Sequence, residues 1–346
     1  MILLHENFFG ITTSNIASNF KFVAPINFGI FGAVPNPIYS RWSSNSSGVR
    51  IARAGSIEPG FLVTAIPESS TVYTGWAHFH EANDIVITFR QLGTVHVNVR
   101  FNSSGLISLQ RGLSTTLATY TIPNYTNNTW YYCEFGAVIS DISGSVEFRL
   151  NGQTVISASG LDTRNGANQW VDEVGFDAPT TAAACRITDW YVTNGQGSNP
   201  ATNGFLGDIR IFSTIPSSSG DTLNFVPLSG TNVQMVDDGN SPDDNTTFVS
   251  ASLSGSLDLY NTFQYTGSAT QIYGVGVKTL ARKTDAGSRN IRLTIKSGSN
   301  VESSVTQPVL DNYRYSSAVF ETNPNTGTNW ASMSDVNGTQ IGYTIL

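Results

Sequence analysis

Period-two alternation of apolar and polar residues constrains what this chain can fold into more than any other feature. In the run Ile85 to Arg90, the residues Ile85, Ile87 and Phe89 share one face. The run Val95 to Phe101 alternates more cleanly, and Leu92-Gly93-Thr94 supplies the turn between the two. Val146 to Leu150 continues the pattern and ends at Asn151-Gly152, a preferred hairpin turn, after which Val155 and Ile156 begin a return strand. Such alternation marks sheets with one buried and one wet face, hence antiparallel pairing. No segment sustains an apolar period of 3.6 residues over three turns; the best short stretch is 179–184. The expectation is an all-β protein.

Length and composition bound the rest. A chain of 346 residues is long enough for two domains. The stretch Ser213 to Asp221 reads as a linker without periodicity, and new strands are expected beyond it at Gln271–Ala281, Arg289–Lys296, Ala318–Glu321 and Gln340–Ile345. This places one domain at 1–216 and a smaller one at 217–346. Pro25, Pro35 and Pro37 among apolar residues suit an irregular docking arm over residues 1–35, the alternative being a strand of the first domain. Only 12% of residues are charged, so the polar surface must come from Ser, Thr, Asn and Gln. A content of 40% hydrophobic residues excludes disorder.

The net charge of −7, with no basic cluster stronger than Arg282-Lys283, argues against nucleic acid as a partner. No apolar run is long enough for a membrane-spanning helix. The N-terminus lacks the basic and apolar regions of a signal peptide, which predicts synthesis in the cytoplasm and favours free thiols at Cys133 and Cys185, with their pairing left open.

Four groups of residues are candidates for chemistry. Glu173 and Asp177 share a strand face, as the acids of a glycosidase would, but Gly175 occupies the central place and the two lie four residues apart. Catalytic residues are therefore expected to be absent. His78 and His80 point to one side of a strand, and His96 lies on a second strand; three imidazoles suit a transition metal. Asp237, Asp238, Asp243 and Asp244 offer oxygen ligands for calcium without the spacing of a known loop, and such clusters are also ordinary turn chemistry. Neither set is complete, so no cofactor is expected. Aromatic rings can stack on sugars. Trp76 and Trp170 are the glycan-binding candidates, with Trp170 in the loop context of Asn165 to Gln169.

The run Trp130 to Phe135, an acidic-Gly turn at Asp141 to Gly144, the strand Val146 to Leu150 and the Asn151-Gly152 turn together resemble the concanavalin A-like (laminin-G-like) jelly roll. The later run Ile187 to Val192, followed by Gly204 to Ile211, is similar to a signature of tailed-bacteriophage virion proteins. Its closing element resembles Asn323 to Gly327, then Trp330, Val336-Asn337 and Ile341 to Tyr343. The resemblance implies a concanavalin A-like sandwich followed by a second, smaller β-sandwich. It further implies a non-enzymatic virion structural protein, a tail or tail-fibre component first and a capsid decoration or head-fibre protein second. Expected partners are other virion proteins, further copies of the chain, a trimer foremost, and host surface glycans. The rival reading from another class is a carbohydrate-binding module or a glycanase, since this fold hosts both.

Overall fold

The alternating runs become strands wherever two of them can share a ladder. A computed structural model describes residues 1–6, 21–23, 29–31, 48–52, 60–82, 84–178, 184–239 and 242–346. They divide into two units, the first ending at Phe212 and the second running from Ser213 to Leu346.

In the first unit the strands are β1 (Ile2–Glu6), β2 (Lys21–Val23), β3 (Gly29–Phe31), β4 (Gly48–Ala52), β5 (Gly60–Ser69), β6 (Thr71–Ala82), β7 (Ile85–Gln91) and β8 (Thr94–Phe101). They continue as β9 (Leu106–Arg111), β10 (Thr115–Thr121), β11 (Trp130–Val138), β12 (Gly144–Leu150), β13 (Gln153–Leu161), β14 (Val171–Ala178) and β15 (Ala184–Asn194). An eight-stranded sheet has the order β13-β12-β11-β6-β15-β4-β3, with β1 also on β15. A seven-stranded sheet has the order β10-β9-β8-β7-β14-β5-β2. This is a two-sheet antiparallel β-sandwich, as expected for the first domain. The two expected hairpin turns have left-handed backbone at both central residues, Leu92 and Gly93 in one, Asn151 and Gly152 in the other, whose twist matches that of the flanking strands.

Aromatic side chains from both sheets fill the space between them. Phe89 of one sheet lies 4.7 Å from Phe135 of the other, and Phe176 packs edge-on against both Trp76 and Trp190. Cys133 and Cys185 are buried free thiols. They lie on β11 and β15, on either side of β6, opposite Trp76 and His80 respectively. Two strand spacings, about 10 Å, exceed what a disulfide can bridge.

The run Gly204 to Ile211, which carries part of the resemblance, crosses the outer face of the eight-stranded sheet. Gly75 makes room there, because a Cβ on it would collide with the Tyr191 ring. The Tyr191 hydroxyl donates to Glu134 Oε1 at 2.5 Å and accepts from Leu206 N at 2.9 Å, while Gly207 N donates to the same Glu134 oxygen at 2.8 Å. Ile211 N donates to Asp189 Oδ1, and the Thr193 hydroxyl donates to the Gly204 carbonyl. Asp189 itself has φ of 50°, at the point where β15 slips register against β6. The runs Ile187 to Val192 and Gly204 to Ile211 are thus stapled together. Burial raises the Glu134 carboxyl above its ordinary range, against the hydrogen bonds from Tyr191 and Gly207.

In the second unit a six-stranded sheet has the order Pro216–Leu223, Leu257–Thr262, Thr339–Ile345, Arg289–Ser297, Asn300–Ser303, with Gln307–Val309 also on Arg289–Ser297. A separate pair, Val275–Ala281 with Arg314–Phe320, packs against it around Val277, Leu293, Ile295, Phe320 and Trp330. This is the second, smaller sandwich. Pro216–Leu223, which reads from sequence as linker, is a strand. Its small polar residues carry no alternation, and it is pairing with Leu257–Thr262 that extends them. One short helix, α1 (Met333–Asn337), interrupts the strand pattern; Ser332 and Asp335 cap it reciprocally.

Of the stretch expected as a docking arm, residues 7–20, 24–28 and 32–35 lie outside the described residues; β1, β2 and β3 are strands of the first sandwich. Residues 179–183 of the helix-like stretch also lie outside the described residues, and Ala184 opens β15.

Candidate functional site

The polar face of the seven-stranded sheet is built by the residues that alternate with its core positions. On β14, Val174 and Phe176 point into the sandwich, opposite Phe89 and Ile87 of β7, so Glu173, Gly175 and Asp177 share the other face with Arg90 and Thr88. Arg90 Nη2 reaches both Asp177 oxygens at 2.6 and 2.5 Å, and its Nε donates to the Thr88 hydroxyl at 2.8 Å. The pair is largely buried, with side-chain exposures of 10% and 13%. Burial pushes the Asp177 carboxyl up to about 6, against the pull of Arg90. Gly175 is held by space: a Cβ there would meet the Leu62 carbonyl oxygen at 2.5 Å. A central acid has no room at this position. Arg90 escapes a reading of the sequence; its one signal is a cation at a polar position of an otherwise apolar strand.

The loop that precedes β14 is tied to the β7–β8 hairpin. His96 alternates with Val95 and Val97 and so lies on the same polar face, fully buried beneath the loop. Its Nδ1 accepts from Asn165 N at 3.0 Å and Gly166 N at 3.1 Å, which leaves Nε2 to donate to the Trp170 carbonyl at 3.1 Å. Asn168 N donates to Gln91 Oε1, and Leu92 N to the Asp172 carboxylate. Burial lowers the His96 imidazole below its ordinary value, opposed by the bond to the Trp170 carbonyl. The clamp holds Trp170 half-buried at the end of a loop in which Asn165, Ala167 and Gln169 are exposed.

The other candidates are placed differently. Trp76 is fully buried, packed on Phe148 and Phe176, so its ring offers no face to a glycan. His78 and His80 face the core from the eight-stranded sheet, whereas His96 sits on the far side of the other sheet; the three do not converge. Trp76 Nε1 donates to His78 Nδ1 at 3.4 Å, and His78 Nε2 lies 3.3 Å from His80 Nδ1. In the calcium cluster, the Thr247 hydroxyl bonds Asp238 and Asp243 at 3.1 and 2.6 Å, and Thr247 N also donates to Asp243, a turn arrangement. Asp237 and Asp244 are exposed. Among the described residues no group of three or more His, Cys, Asp or Glu side chains is placed to hold a metal ion.

The buried histidines carry a pH consequence. Burial, reinforced by His80, holds the His78 imidazole well below its ordinary value of 6.5. The groups around it are Tyr131 from β11, opposite it in register, Tyr125 beside His80, and Cys185 opposite His80 on β15. A depressed imidazole favours the folded state above the unfolded value and withdraws that support as pH falls below it. Acidification is expected to cost about 1.4 kcal/mol per pH unit below ~6.5 while the folded imidazole stays neutral. Asp177 and Glu134, whose carboxyls are raised, act in the opposite sense. The comparison of His78→Phe with the parent in urea titrations from about pH 7 to 5 isolates the histidine: the variant should lose less stability on acidification. Parallel profiles would show that His78 is not the group responsible.

No protein-family model matches the chain, and no curated protein matches it. Among solved structures it is similar to a sialidase at 12% identity, covering 49% of this chain and 17% of that one, with a TM-score of 0.35. It is also similar to a GH131 β-glucanase catalytic domain from Podospora anserina at 11% identity, covering 54% and 90%, with a TM-score of 0.36. A third likeness is to lectin II from Ulex europaeus at 12% identity, covering 51% and 96%, with a TM-score of 0.32. The chain spans less than a fifth of the sialidase.

Proposed function

We propose that this chain is a non-enzymatic structural protein of a tailed-bacteriophage particle, a tail or tail-fibre component that packs against other virion subunits as a homo-oligomer and meets host glycans through the loop ending at Trp170. The observation that carries the non-catalytic part is the β14 face. Its two acids flank a glycine that has no room for a side chain, and one of them is committed to Arg90. A retaining glycosidase needs two carboxyls about 5 Å apart, one free to act as nucleophile. The virion part is supported by the order of the runs Ile187 to Val192, Gly204 to Ile211 and Asn323 to Tyr343. A second reading, a carbohydrate-binding module outside any particle, is favoured by the clamped, half-buried Trp170.

Mass spectrometry of purified particles separates the two. The virion reading expects the chain at many copies per particle through purification; its absence would sink that reading. Glycan-array binding tests the loop in either case. Trp170→Ala should lower binding about tenfold, as expected when roughly 1.4 kcal/mol of stacking is removed, with unchanged thermal unfolding. Binding that survives the substitution would remove Trp170 from the site.

A further inference from the structure

The two sheets of the first unit end on the same side in β10 and β13, which lie against each other. Within the described residues β10 is bonded only to β9, and β13 only to β12, so each presents an open row of backbone donors and acceptors. Exposed edges of this kind are normally protected by charges, proline or a covering element, because an open edge invites another strand. Here no such charge exists. From Gly112 to Cys133, and again from Leu150 to Leu161, the sequence has no Asp, Glu, Lys, Arg or His. Four of the seven residues of β10 are exposed, and Leu113 beside it is 67% exposed.

We propose that β10 is a strand-addition interface for a second copy of this chain, the two β10 strands pairing antiparallel about a two-fold axis. Self-association of a chain with net charge −7 meets least repulsion through a face that carries no charge. The register is fixed by the pleat. Thr116 and Thr119 lie opposite Gln110 and Ser108 on the polar face, and Ala118 and Tyr120 lie opposite Leu109 and Ile107 on the core face. An axis through Thr119 sets Thr119 against its own copy and Ala118 against Tyr120, so both faces stay continuous across the junction. Other two-fold registers that preserve the faces must also centre on a residue rather than between two. The slip in the β9–β10 ladder between Thr116 and Ala118 leaves Ala118 to Thr121 as the regular stretch, and of its two inner residues Thr119, the one on the polar face, is taken as the axis. The nine residues of β13 extend the contact; with β10 and Leu113 they approach the ~20–30 residues a side of a stable dimer. The interface is isologous, so each copy satisfies the other with the same groups. It does not depend on the virion or glycan readings.

The test is a charge exchange on the full chain. In sedimentation equilibrium the parent should be a dimer. Thr119→Lys alone and Thr119→Glu alone should each weaken it roughly a hundredfold, because like charges then sit directly opposite. A one-to-one mixture of the two variants should restore association. Circular dichroism and thermal unfolding of each variant should match the parent, which separates loss of pairing from loss of fold. Four results would overturn the proposal: a monomeric parent, a trimer or dimer unaffected by either charge, a mixture that stays monomeric, or a parent that pairs only with a different particle protein.

Discussion

Asp258→Ala is expected to destabilise the second unit by about 2–4 kcal/mol, a large fraction of the stability of a domain of this size. Asp258 is fully buried and both its oxygens are used. Oδ1 accepts from Asn224 N at 2.6 Å and Phe225 N at 2.9 Å; Oδ2 accepts from Asn232 Nδ2 at 2.8 Å and the Tyr260 hydroxyl at 2.6 Å. Alanine removes the acceptor from four donors; Asn224 N keeps the Leu257 carbonyl and Asn232 Nδ2 the Phe225 carbonyl, while Phe225 N and the buried Tyr260 hydroxyl lose their carboxylate partner, which costs more than the bonds were worth in net terms. The carboxylate fastens the segment from Asn224 to Asn232 onto the strand Leu257–Thr262, and Tyr260 OH in turn lies 3.4 Å from Tyr343 OH. Asp258→Asn keeps one acceptor oxygen and should fall between alanine and the parent. Urea unfolding combined with hydrogen exchange in Arg289–Ser297 reads the effect where the core strand reports it. A loss below about 1 kcal/mol for alanine would mean that the segment is held by other contacts.

Trp76→Ala is expected to cost about 3–5 kcal/mol in the first unit, the usual penalty for removing a buried indole. The ring is fully buried between the sheets, lies 5.7 Å from Phe176 and 6.3 Å from Phe148, and gives its N–H to His78. Its loss empties the centre of the sandwich and frees the His78 Nδ1 acceptor. Thermal unfolding should fall by many degrees, and binding to any glycan should fall only through the unfolded fraction. The contrast with Trp170 is diagnostic: one tryptophan should move stability, the other binding. Should Trp76→Ala unfold like the parent yet lose glycan binding, the placement of this ring in the core would be wrong.

These two tryptophans also mark where reading along the chain stops. Alternation locates β6 as a strand, and Trp76, His78 and His80 do share one of its faces. It suggests that this face is available to a ligand or a metal, because histidines usually mark the wet side. In the fold the opposite face is covered too: Phe79 is 3% exposed, packs 5.2 Å from Trp130, and has the Arg186 guanidinium over its ring. A strand buried on both faces has no polar side for the pattern to reveal. The same limit hides the Arg90–Asp177 pair and the His96 clamp. Their members are 87 and 74 residues apart in the chain, and nothing local to either partner names the other.

The order of residues is enough to make this chain all-β, to place many of its longer strands, to say which residues of those strands share a face, and to locate the tight turns at Leu92-Gly93 and Asn151-Gly152. All of these follow from the two-residue period of a pleated strand and from the backbone freedom of a few turn residues, which are short-range properties. Long-range packing settles the rest: which faces are covered, that Pro216–Leu223 is a strand rather than a linker, that Gly175 has no space for an acid, and that β10 and β13 are open edges among the described residues. Each of these depends on what a distant strand brings alongside, and a sheet edge or a buried face exists only once that neighbour has been placed or left out.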